Sequence, residues 1–155
     1  MAPAKKQDKR TAVVTGGSRG IGLGIAGCLL ARGASVAVTY RGDDAAAKRA
    51  EAGLRKKAAK GTKLLFLKGD AGDAAAVAGQ HRLIRDAFGD VDILVNNAGI
   101  MDRRPFDRLS VEDWDETIRV NLSGAFYWMM CAVPAMKAGN FGRIVNISSI
   151  AARGG

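Results

Sequence analysis

Eight residues near the amino terminus have the types and spacing of a phosphate-binding turn: Thr15-Gly16-Gly17-Ser18-Arg19-Gly20-Ile21-Gly22. They follow a short apolar, partly β-branched run at residues 11–14 and lead into an apolar helical pattern. In a strand–turn–helix unit, glycines let the backbone turn sharply and approach a ligand, while free N–H groups at the helix start face an anion. The stretch predicts a pyrophosphate site that includes Gly16, Ser18, Arg19, Gly20, Ile21 and Gly22.

The residues after the second predicted strand indicate which dinucleotide would bind. An acidic residue at this point binds the ribose 2′-hydroxyl, but this sequence has Tyr40 and Arg41. A guanidinium fork matches phosphate oxygens, so Arg41 and Arg19 together could bind a 2′-phosphate. We therefore expect NADP as the cofactor, with NAD possible. The alternative is that both arginines lie on the surface without a ligand.

Alternating strand and helix patterns position these residues. Apolar runs predict strands over residues 10–15, 35–40, 64–67, 92–95 and 142–149, with helices over 21–32, 43–60, 73–88 and 113–136. Asp43 and Asp73 are expected to cap their helices, and Ser110 with Asp113 forms a capping-box pattern. This alternation predicts an α/β fold built on a parallel sheet.

Two of the helices carry apolar stripes that predict their buried faces. In the first helix the stripe is Ile21, Ile25, Cys28 and Leu29, and in the last it is Ile118, Leu122, Ala125, Phe126, Met129 and Val133. Trp128 and Met130 lie outside the second stripe, which indicates a deeper core or a subunit interface. Pro134 is expected to bend or end the last helix.

Polar residues follow the later strands, where ligands of parallel sheets gather. Asp70 follows the third strand and is expected to meet an adenine ring. The fourth strand ends in Asn96-Asn97-Ala98-Gly99, in which Asn97, Ala98 and Gly99 could form a floor for the cofactor. Asn121, in the last helix, is expected to be a buried amide that needs partners. The fifth strand ends in the paired serines Ser148 and Ser149.

The T-G-x-x-x-G-x-G turn, Asp70, Asn-Asn-Ala-Gly, Asn121 and Ser149 occur in the order of the classical short-chain dehydrogenase/reductases, and residues 10–155 resemble that family. The resemblance implies a Rossmann-type, doubly wound sheet and hydride transfer between a nicotinamide and an alcohol or ketone. It also implies that Asn121 holds a water of the proton relay and that Ser149 hydrogen-bonds the substrate carbonyl. The chain looks most like 3-oxoacyl-acyl-carrier-protein reductases, which implies an acyl thioester substrate and a homo-oligomeric full-length form.

The family's proton donor is a Tyr-x-x-x-Lys pair that lies beyond its serine, and this sequence ends at Gly155. Neither tyrosine matches, because Tyr40 precedes Asp44 at that spacing and Tyr127 precedes Cys131. A phenol with a pKa of about 10 is a poor base at neutral pH unless positive charge lies nearby. We therefore expect a domain truncated after the fifth strand, with very weak or no turnover by itself. A non-catalytic dinucleotide-binding module is the alternative.

Composition and charge exclude several other classes of protein. With 155 residues and 48% hydrophobic content, the chain fits one globular domain at 10–155, preceded by a flexible basic tail at 1–9. The net charge of +9 includes a basic helix, but no aromatic residues are interleaved, so we expect no nucleic acid partner. Cys28 and Cys131 are expected to be buried and to bind no metal, and the lone His81 to be structural or exposed. No apolar run can span a bilayer, which favours a cytoplasmic protein without a membrane partner.

Overall fold

The structure is a computed structural model that describes residues 10–149. Residues 1–9, for which a basic tail is predicted, and residues 150–155 lie outside the described part. The chain forms five parallel strands in the order β3-β2-β1-β4-β5. The strands are β1 (Thr11–Val14), β2 (Ser35–Tyr40), β3 (Leu64–Lys68), β4 (Ile93–Asn96) and β5 (Arg143–Asn146). The fold is the expected doubly wound, Rossmann-type α/β sheet.

Helices connect the strands and cover both faces of the sheet. They are α1 (Gly20–Ala31), α2 (Asp44–Arg55), α3 (Ala74–Phe88), α4 (Val111–Ile118) and α5 (Gly124–Ala138). A short 3-10 helix spans Phe106–Arg108, and a π-helical turn, Arg119–Ser123, joins α4 directly to α5. Within residues 10–149, none of the helices has the length and apolar character needed to cross a membrane.

Alternation along β1 divides the core into two layers. Ala12 and Val14 face α1 and α2, where Leu30 and Leu54 pack against them. Val13 faces the opposite layer, which α3 and α5 form around the fully buried Trp128. A parallel sheet covered on both sides needs apolar residues at consecutive positions, which explains why all four residues of β1 are buried.

The predicted helix caps are confirmed. The Asp43 carboxylate accepts a hydrogen bond from the Ala46 N–H at 2.8 Å, and that of Asp73 accepts from Ala75 N–H at 2.8 Å. Ser110 and Asp113 form a complete capping box at the start of α4. These contacts satisfy N–H groups that the first helical turn leaves without a partner.

The predicted buried faces of two helices are only partly right, because the fully buried positions lie beside the predicted stripes. In α5 the buried side chains are Trp128, Ala132 and Met136, whereas Leu122 and Phe126 are exposed. Buried positions recur every four residues from Val120 to Met136, on a face beside the predicted stripe. Pro134 lies inside α5 and does not end it.

Helix α1 shows the same kind of difference. Its buried positions are Gly22, Ala26 and Leu30, while Ile21 and Cys28 are exposed. Ile25 and Leu29 of the predicted stripe are partly buried against the core, so only part of the stripe faces inward. Two predicted segments are also too long, since α2 ends at Arg55 and β5 at Asn146.

Candidate cofactor-binding site

A cavity of about 660 Å³ opens at the carboxyl ends of β1, β2, β3 and β4. The strand order reverses between β1 and β4, and crevices at such a switch point are where open α/β sheets bind ligands. The structure brings together every predicted cofactor residue except Gly22 in the cavity lining: Gly16, Ser18, Arg19, Gly20, Ile21, Tyr40, Arg41, Asp70, Asn97, Ala98 and Gly99. A larger groove between α1 and α2 lies beside it.

Thr15 joins the glycine turn to the end of β4. Its buried hydroxyl oxygen accepts hydrogen bonds from the backbone N–H groups of Asn97 and Ala98, both at 2.9 Å. In return, Asn97 Nδ2 donates to the carbonyl oxygens of Thr15 at 2.9 Å and Gly16 at 3.1 Å. Sequence reasoning identified Asn97 but gave Thr15 no role of its own. These bonds fix the two loops that form the cavity floor.

Glycine is required by close approach at two positions of the turn. Gly16 has a φ of +63°, and a Cβ there would lie 2.9 Å from Ala98 Cα. Gly22 does not line the cavity but supports it, because a Cβ on it would lie 2.5 Å from Asn97 Nδ2. The start of α1 has no side-chain cap and no acidic residue in its first turn. Its N–H groups and dipole therefore remain available to an anion.

Asp70 lies on the far wall of the cavity and is held by two donors. The Gly72 N–H donates to Asp70 Oδ1 at 2.8 Å, and Arg119 Nη2 donates to Oδ2 at 2.9 Å. Burial alone would raise the pKa of Asp70, but these two hydrogen bonds outweigh it and hold the pKa below its ordinary value. Asp70 is thus a carboxylate at neutral pH.

Arg41 also reaches the cavity, and its guanidinium is already paired. Arg41 Nη1 lies 2.8 Å from Glu116 Oε1, and Arg119 Nε lies 2.9 Å from Glu116 Oε2. Both arginines lower the pKa of Glu116, with the hydrogen bond from Arg119 as the largest cause. Sequence reasoning missed Glu116 and Arg119. Their spacing of three residues indicates only an ordinary pair on a helix surface.

Asn121 has partners, but it is not buried as expected. Its Oδ1 accepts from the Ile100 N–H at 2.8 Å, and its Nδ2 donates to the Ile100 carbonyl at 2.9 Å. The residue belongs to the π-helical turn and is exposed. It therefore ties the helix to the loop that follows β4 and that lines the cavity.

Ser149 follows β5 at the same edge of the sheet and is exposed. The preceding strand is fixed to β4 by a side-chain bond, in which Asn96 Nδ2 donates to Asn146 Oδ1 at 2.8 Å. Among the described residues, neither Asn121 nor Ser149 lines the cavity. No group of three or more His, Cys, Asp or Glu residues placed to hold a metal ion occurs within residues 10–149.

The family model for short chain dehydrogenases matches residues 10–155 of the sequence. The chain belongs to the short-chain dehydrogenase family. D-beta-hydroxybutyrate dehydrogenase from Cupriavidus necator is 41% identical to this chain over 140 residues, which are 90% of this chain and 53% of the relative. The 3-oxoacyl-[acyl-carrier-protein] reductase FabG of Staphylococcus aureus is 38% identical, over 91% of this chain and 56% of that protein.

A solved structure shares the fold as well. A short-chain dehydrogenase/reductase variant from Serratia marcescens superposes with a TM-score of 0.83 and 36% identity, over 95% of this chain and 58% of that one. The chain spans about half the length of the curated relatives it matches. This confirms the resemblance to the short-chain dehydrogenase/reductase family.

The residues that line the cavity are of the types that could hold a dinucleotide. The glycine turn leaves no room for a Cβ at Gly16, so the backbone itself forms the wall beside the start of α1. That arrangement suits a pyrophosphate, and Asp70 and Arg41 line the same cavity after β3 and β2, where the adenosine part of a dinucleotide lies in such folds.

Proposed function

We propose that this chain binds NADP(H) in the cavity and contributes the cofactor site of a reductase that transfers hydride between NADP(H) and a ketone or alcohol. A 3-oxoacyl thioester is the favoured substrate class, because a 3-oxoacyl-[acyl-carrier-protein] reductase is among the relatives. The observation that carries the proposal is the lining of one cavity by the glycine turn, Asp70 and the Asn97–Gly99 floor. The bound nicotinamide would supply the hydride.

Each proposed role in binding follows from the chemical type of the group that performs it. The N–H groups at the start of α1 hold the pyrophosphate, while Arg19 and Arg41 hold the 2′-phosphate through paired N–H donors. Asn97 and Ala98 are fixed by Thr15 and support the cofactor from below. The Ser149 hydroxyl is proposed to donate a hydrogen bond to the substrate carbonyl oxygen.

Asn121 is proposed to hold a water of the proton relay. Its amide has one hydrogen and one acceptor lone pair left after the two bonds to Ile100. Since these bonds fix the amide plane, the remaining positions point in set directions. We also propose the whole protein to be a homo-oligomer, since α5 exposes Phe126 (54%) and Met130 (61%), and exposed apolar patches mark interaction surfaces.

Calorimetric titration with NADP⁺ and NAD⁺ tests the cofactor proposal. We expect the protein to bind NADP⁺ more tightly, and Arg41→Ala and Arg19→Ala to weaken NADP⁺ more than NAD⁺. Arg55→Ala is the matched control, because it removes the same charge from an exposed arginine that pairs with Glu51 on α2. Unchanged NADP⁺ affinity in both variants would show that neither arginine contacts the 2′-phosphate.

NADPH oxidation with acetoacetyl-CoA tests the catalytic proposal separately. We expect very weak or no turnover from the 155-residue chain and clear turnover from a longer protein that adds a Tyr-x-x-x-Lys pair. In the longer protein, Ser149→Ala should lower kcat while cofactor affinity stays unchanged. NADP⁺ binding without turnover by either form would favour the non-catalytic module instead.

A further inference from the structure

Four charged side chains form a continuous row of ion pairs at the proposed adenosine end of the cavity. Asp70 binds Arg119 at 2.9 Å, Arg119 binds Glu116 at 2.9 Å, and Glu116 binds Arg41 at 2.8 Å. The end members Asp70 and Arg41 line the cavity, whereas Glu116 and Arg119 are absent from the lining that the described residues form. Glu116 and Arg119 therefore contact the residues that line the cavity, Arg41 and Asp70, and do not line it themselves.

The row of ion pairs has no net charge, since two carboxylates balance two guanidinium groups. A neutral cluster offers a 2′-phosphate less attraction than Arg41 would offer alone. One of the N–H donors of Arg41 is already used by Glu116, and the Glu116 carboxylate repels an anion placed at the same guanidinium. Arg119 opposes this, because it competes with Arg41 for Glu116.

We propose that Glu116 is a positioning residue that sets how strongly the site prefers a 2′-phosphorylated dinucleotide, by competing with the phosphate for Arg41, and that Arg119 limits this competition. The inference rests on the proposed use of NADP and adds the residues that adjust it. It assigns a role in cofactor selection to Glu116 and Arg119, neither of which lines the cavity itself.

The position of Arg119 is built into the β3–α3 loop. Gly72 lies directly under its guanidinium, and a Cβ at Gly72 would lie 2.9 Å from Arg119 Cζ. Gly72 is buried and also donates the backbone hydrogen bond to Asp70. A single loop thus holds both Asp70 and the arginine that faces Glu116, so the four charges keep a fixed order.

Two variants that should shift the ratio of NADP⁺ to NAD⁺ affinity in opposite directions test the inference. Each is titrated with NADP⁺ and NAD⁺ by calorimetry. Glu116→Gln keeps the shape and removes the competing charge, so the ratio of NADP⁺ to NAD⁺ affinity should rise about two- to fivefold, the size of an exposed ion pair. Arg119→Met leaves Glu116 entirely to Arg41, so the same ratio should fall by a similar factor. Both shifts should shrink as salt is added.

Two controls separate selection from structure. Glu112→Gln removes the same charge one turn earlier on α4 and should leave the ratio unchanged. In an Arg41→Ala background, Glu116→Gln should no longer raise the ratio, because the group it competes for is gone. Thermal unfolding followed by circular dichroism checks that each variant is folded.

The outcomes distinguish this inference from the proposed function. If Glu116→Gln and Arg119→Met change both affinities in parallel, or if Glu116→Gln lowers the ratio, the inference is wrong. Should Arg41→Ala still remove NADP⁺ preference in that case, the proposed cofactor stands. If neither the unmodified protein nor Arg41→Ala distinguishes the two dinucleotides, the proposed use of NADP fails and the inference fails with it.

Discussion

Replacing Gly22 by alanine tests how closely α1 is fitted against the cofactor floor. A Cβ at this buried position would lie 2.5 Å from Asn97 Nδ2 and 2.8 Å from the Gly16 carbonyl oxygen. Both neighbours belong to the loops that form the cavity, and the Gly16 oxygen is a backbone atom that cannot rotate away. The substitution must therefore move α1 outward or break the bonds that Asn97 makes.

Gly24 provides a matched control on the same helix, since a Cβ there meets nothing within 4 Å. Alanine gains about 1 kcal/mol of helix propensity over glycine at an interior position, and both variants receive a similar gain. The difference between them then isolates the cost of overpacking, which is typically about 1–3 kcal/mol. For a domain of this size, that corresponds to a difference in Tm of roughly 2–12 °C.

Urea unfolding and titration with NADP⁺ are the assays for this pair of variants. We expect Gly24→Ala to be as stable as the unmodified protein or more stable, with unchanged affinity. Gly22→Ala should be less stable than Gly24→Ala by the amount above and should bind NADP⁺ at least several-fold more weakly. Equal stability and equal affinity of the two variants would refute the close fit of α1 on Asn97.

Three further perturbations have expected outcomes. Thr15→Val leaves two partly buried N–H groups without an acceptor, so the free energy of unfolding in urea should fall by about 1–3 kcal/mol, while Thr15→Ser should recover most of it. Trp128→Ala should cost about 3–5 kcal/mol. Phe126→Ala should change stability by less than about 0.5 kcal/mol, and the reverse order would contradict the buried face of α5. The pKa of Asp70 is lowered in the folded state, so the stabilisation that its carboxylate gives is present above about pH 4. This stabilisation is lost as the pH falls through the lowered pKa. The urea midpoint of Asp70→Asn should therefore depend less on pH in this range than that of the unmodified protein.

Features that depend on neighbouring residues could be predicted from the amino-acid order. The glycine turn, the caps at Asp43 and Asp73 and the capping box at Ser110 all lie where the sequence predicts them. Strand positions were predicted well for the same reason, because short apolar runs between turns form strands whatever they pack against. These local rules also position Asp70 and the Asn97–Gly99 floor at one edge of the sheet.

Which helix faces are buried and which charges pair depends instead on how the elements pack together. The fully buried positions of α5 recur every four residues and include Trp128, which lies outside the predicted stripe. Arg119 meets Asp70 across 49 positions of sequence, and Thr15 meets Asn97 across 82. A spacing rule describes one helix or strand at a time, whereas these contacts arise where the ends of separate strands converge. That convergence makes the cavity, and no segment of the chain contains it alone.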